Sequence, residues 1–78
     1  MNNSHPSPNA SRFEVFNTET GEVINYFSFP ETHPRTRSLS LARAKHLAQA
    51  YPLHPYAVRL WEKGNPIPTI VYNPVSPN

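Results

Sequence analysis

The chain has 78 residues, 37% of them apolar, with no cysteine and a net charge of +2 from seven Lys+Arg against five Asp+Glu. A chain this short buries only about 60% of its unfolded surface, which leaves room for one core and not two. Without cysteine there is no disulfide framework and no Cys/His zinc module; nor does any run approach ~18 apolar residues or any basic segment lead into an apolar one, so we expect a cytoplasmic protein without membrane span or signal peptide.

Residues 1–11, MNNSHPSPNAS, hold almost nothing to bury and are read as a disordered tail, ahead of a single α+β domain over residues 12–73 and a loose end at 74–78. The domain opens with RFEVFNTETGEVINYFSF, two β-forming runs around a polar turn that Gly21 can close with a positive φ. Alternation puts Phe13 and Val15 on one face and Glu14 and Phe16 on the other. Phe13, Val15, Phe27 and Phe29 are the expected core; Phe16, Ile24 and Tyr26 are expected opposite. Glu14 and Glu22 read as a half-exposed pair across this hairpin.

PETHPRTRS follows as a linker, with Pro30 and Pro34 blocking regular structure and Arg35 and Arg37 in an exposed loop. SLSLARAKHLAQAY then places Leu41, Ala44, Leu47, Ala48 and Tyr51 on one side of a helix of about three turns. Ser38 or Ser40 is its expected N-cap and Pro52 its stop. Arg43, Lys45 and His46 lie on its other side, as a solvated face or a binding edge.

The last element pair is YAVRLWEKGNPIPTIVYN, a hairpin around Lys63-Gly64-Asn65-Pro66. Tyr56, Val58 and Leu60 alternate with Ala57, Arg59 and Trp61; Ile67, Thr69 and Val71 alternate with Pro68, Ile70 and Tyr72. Pro68 cannot donate to a ladder, so the final strand is expected at an edge or with a bulge. The order is β-β-α-β-β: a four-stranded, mainly antiparallel sheet with one helix packed across one face.

The inventory argues against catalysis and metal binding. His5, His33, His46 and His54 are scattered without HxH or HExxH spacing, there is no aspartate, and two glycines cannot build a phosphate loop. No cofactor is expected, and no enzyme. A single helix covers only one sheet face. The other, carrying Phe16, Ile24, Tyr26, Arg59, Trp61, Ile70 and Tyr72, is a larger apolar surface than monomeric proteins usually expose, in residue types enriched at interface hot spots.

Charge adds a second signal. After Pro30 come Arg35, Arg37, Arg43, Lys45, Arg59 and Lys63 against Glu31 and Glu62, a basic lobe that permits contact with phosphate or an acidic surface, although +2 is also ordinary for a soluble domain. The expected partner-binding residues are therefore Arg59, Trp61, Tyr72, Tyr26, Arg43, Lys45, Arg35 and Arg37. Homodimerisation, a different protein partner and single-stranded nucleic acid stacked on the aromatics compete as occupants, against a face merely shielded by its own rings or by the tail. Arg59→Glu and Trp61→Ala are expected to spare the fold and abolish binding.

SLSLARAKHLAQAY, followed by YAVRLWEKG and TIVYN, resembles the pattern of small phage-encoded anti-CRISPR proteins, particularly inhibitors of type I systems, in which an SLS-x-A-+-x-A helix start precedes a terminal hairpin. The resemblance covers residues 38–73. It implies a non-enzymatic inhibitor in the host cytoplasm that docks on a CRISPR effector complex and blocks DNA binding or nuclease recruitment. Many such inhibitors are acidic DNA mimics; a basic chain departs from that pattern and points to an acidic protein or nucleic-acid surface. No individual site residue carries over.

Overall fold

The computed structural model describes residues 11–30, 32–51, 53 and 55–74. It contains β1 (Ser11–Asn17), β2 (Val23–Phe29), α1 (Pro34–Gln49), β3 (Tyr56–Trp61) and β4 (Thr69–Tyr72). The strands form one sheet in the order β2-β1-β3-β4, with every neighbouring pair antiparallel. Because α1 leaves edge strand β2, passes β1 and enters β3, those two strands run in the same direction with β1 between them. The result is the expected α+β fold, β-β-α-β-β.

Local chemistry explains each boundary. Ser11, assigned above to the tail, instead opens β1; it is 1% exposed and its Oγ accepts the Lys63 amide at 3.0 Å. The rest of that tail, and residues 75–78, lie outside the described residues. At the first turn Asn17 Oδ1 accepts the amides of Glu19 and Thr20 at 2.8 and 3.1 Å, and Gly21, at φ 80°, donates to the Asn17 carbonyl at 2.7 Å.

α1 starts five or seven residues earlier than a cap at Ser38 or Ser40 would place it. Pro34 occupies the first helical turn, where its missing N–H costs nothing because that amide has no helical partner, and its fixed φ suits the helix. Arg35 and Arg37 are therefore helical, not in a loop. Neither Ser38 nor Ser40 is the N-cap; His33 holds that position without a side-chain cap bond, and Ser40 joins Ala44 and Ala48 in a buried stripe. These three small side chains let the helix approach the sheet closely.

The core lies between α1 and one sheet face. Phe13, Val15, Phe29, Val58 and Leu60 meet Ala44 and Ala48, and the Phe13 and Phe29 rings stack at 5.0 Å. Phe27, expected among them, packs at the margin and is only partly buried. Two register shifts alter the expected faces. Between Val15 and Phe16 the β2 partner steps from Asn25 to Val23, so Ile24 is skipped and packs on the core side instead of the open face. Between Val58 and Arg59 the β4 partner steps from Tyr72 to Ile70, which returns Tyr72 to the helix side.

Candidate binding face

The sheet face away from α1 is organised by one carboxylate. β1 runs through the middle of the sheet, and its register sets Glu14 between Tyr26 of β2 and Arg59 of β3, with Arg12 opposite Trp61 and Phe16 opposite Ala57. Glu14 is only 6% exposed. Its Oε2 accepts Arg12 Nε at 2.8 Å; its Oε1 accepts Arg59 Nε at 2.9 Å and the Trp61 indole N–H at 2.8 Å. A buried carboxylate is tolerable only with its lone pairs and charge satisfied, and here both are.

Burial pushes the Glu14 carboxyl upward, but the bonds from Arg12, Arg59 and Trp61 and the charge of Arg12 outweigh it and hold the group below its ordinary value. The arginines also cover the aromatics. The Arg59 guanidinium lies 4.4 Å from the Phe16 ring centre and 5.8 Å from that of Trp61, and Arg12 lies 5.1 Å from Trp61. Cation–π contacts of this kind are worth about 0.5–2 kcal/mol each. Phe16, although on the open face, is consequently just 8% exposed.

Each guanidinium uses Nε on Glu14, and its terminal nitrogens hold no bond among the described residues. The apolar part of the face left to solvent is Ile70, 51% exposed, and Val23, 38% exposed. Beside Trp61 the β3–β4 turn, with Gly64 at φ 80°, forms an open cleft of about 300 Å³ lined by Arg12, Trp61, Gly64, Asn65 and Pro66.

Of the residues singled out from the sequence, Arg59, Trp61 and Tyr26 share this face. Tyr72 does not: the β4 bulge turns it toward α1, where Lys45 Nζ sits 5.9 Å from its ring. Arg35, Arg37, Arg43 and Lys45 belong to the helix layer, with Arg37 over the Phe29 ring at 5.7 Å. Sequence reasoning missed Arg12 and the central role of Glu14. Glu22 is exposed and is not Glu14's partner. The available signal was the alternation itself, which placed Glu14 with Phe16 and Arg59 with Trp61; that their strands are neighbours comes from the fold.

Among the described residues no three His, Asp or Glu side chains converge as a metal site requires, and no helix is long and apolar enough to cross a membrane. Fold and face together define a small α+β domain with an open sheet surface built from arginine and aromatic side chains. In comparisons with known proteins, no family model, curated protein or solved structure matches the chain.

Proposed function

We propose that this is a non-enzymatic binding protein that docks another protein on its open sheet face. The carrying observation is the anchoring of Arg12, Arg59 and Trp61 on the buried carboxylate of Glu14. Long arginine side chains normally lose rotamer freedom on binding; held this way, much of that loss precedes the encounter. Arg and Trp dominate interface hot spots, and Ile70 and Val23 supply apolar contact beside them.

Protein is favoured over single-stranded nucleic acid as the occupant of this face. Base stacking needs uncovered rings, whereas Phe16 lies under Arg59 and Trp61 has a guanidinium against it. Glu14 also cancels part of the positive charge. The resemblance of residues 38–73 to inhibitors of type I CRISPR systems makes a type I effector complex the first partner to try, with surface occlusion as the mode of action.

Ile70→Glu tests the docking face while keeping every donor and acceptor of the Glu14 network, with the new carboxylate across the ladder from Arg59. Its affinity for purified type I effector complexes, measured by biolayer interferometry, should fall at least about tenfold, the loss typical of a hot-spot position. Equal affinity of wild type and variant would reject this face as the docking surface; no binding by the wild type would reject the effector complex as its partner. Sedimentation of the purified chain checks the homodimer alternative, which a monomer at high concentration excludes.

A further inference from the structure

We infer that the outer face of α1 is a second binding surface, for the phosphate backbone of double-stranded nucleic acid. This goes beyond the sheet-face proposal and stands independently of it. α1 carries Arg35, Arg37, Arg43 and Lys45 and no acidic residue. Both salt bridges found among the described residues belong to Glu14 on the opposite layer, so none of these four cations is neutralised by an acid there. Arg35 and Arg37 occupy the first turn, where the helix dipole disfavours positive charge and acidic residues are the stabilising choice. The Phe29 ring accounts for Arg37; no such contact among the described residues accounts for Arg35.

Their placement suits an extended polyanion. At 100° per residue Arg35, Leu39, Arg43 and His46 form one outward stripe, all exposed, and the two arginines are separated by about 12 Å along the axis at 1.5 Å per residue. Arg37, about 200° round from Arg35, lies on the sheet side over Phe29 and is not part of the stripe, while Lys45 rests over Tyr72 at its flank. Ser38 and Ala42 on the exposed side are short, so the helix can approach a backbone or enter a groove about 12 Å wide. Arginine predominates, the side chain whose planar fork pairs with phosphate through two bonds.

Other polyanions fit less well. A membrane-surface helix must offer an apolar face to the lipid, but the apolar side of α1 is committed to the sheet and Leu39 is the large apolar residue left on its outer stripe. An acidic protein partner would find a single large apolar anchor on the stripe, Leu39. The charge complementarity is with closely spaced phosphates.

Fluorescence anisotropy of the full chain with a labelled 20-base-pair DNA duplex across a salt series is the test. Log affinity should fall linearly with log salt, by about 0.9 per phosphate contacted. Arg35→Gln with Arg43→Gln should weaken binding roughly tenfold or more at low salt and flatten the slope by about two contacts. Ser28→Glu with Ile70→Glu removes the same net charge on the other layer and should weaken binding far less. Equal losses in the two double variants, an undetectable complex at low salt, or tighter binding to polyglutamate or to anionic phospholipid vesicles than to the duplex would overturn the inference.

Discussion

Removing the charge of Glu14 uncouples three neighbours at once. Glu14→Gln keeps one carbonyl acceptor but offers Arg12 and Arg59 no counter-charge, and should cost about 1–3 kcal/mol of stability in urea unfolding at pH 7. The pH dependence follows from the same bonds. A carboxyl held below its ordinary value in the folded state stabilises the fold fully above the unfolded value, about 4.3, and loses that contribution as pH falls through the folded one. Wild type should therefore weaken below about pH 4 more steeply than Glu14→Gln, as unfolding curves at pH 7 and pH 3 would show. Arg59→Glu, expected from the sequence to spare the fold, instead sets a second carboxylate against a buried one and should leave much of the chain unfolded by circular dichroism. Trp61→Ala removes a donor to Glu14 and the ring beneath Arg12, so it too tests stability as well as binding. The face was legible from strand alternation; the carboxylate at its centre was not, because cross-strand partners depend on which strands are adjacent, and β1–β3 pairing joins residues more than forty positions apart.

At the scale of elements, all five were readable from period and turn chemistry, while their edges and twists were not. Pro34 reads as a breaker or as a helix start depending on whether the chain before it already has helical geometry, and the serines downstream made the later start attractive. The two bulges could not be placed from sequence: Pro68 marked the last strand as an edge or bulged, and β4 is an edge, but only the partner strand's register reveals the extra residues at Ile24 and Val71. Two substitutions follow from the boundaries. His33→Asp supplies the missing N-cap acceptor and a favourable charge at the helix start, and should raise stability by about 1 kcal/mol in urea titration. Gly21→Ala meets no atom within 4 Å yet forces a side chain into φ 80°, and should cost about 1 kcal/mol by the same measurement.

The whole molecule divides its chemistry between two layers. Helix and inner sheet face hold the core; the outer sheet face holds arginines locked to one glutamate; the outer helix face holds cations without acids. Composition showed a basic second half but joined it to the aromatics, whereas the fold sends most of those cations to the opposite side of the domain. Trp61, the sole tryptophan of the chain, sits on the sheet face and reports on it alone. With 5-fluorotryptophan incorporated, the single fluorine resonance should shift or broaden when a type I effector complex is added to wild type, and should stay at its free position for Ile70→Glu. A complex that forms while that resonance remains unchanged would place the partner elsewhere and contradict the sheet face as the docking surface.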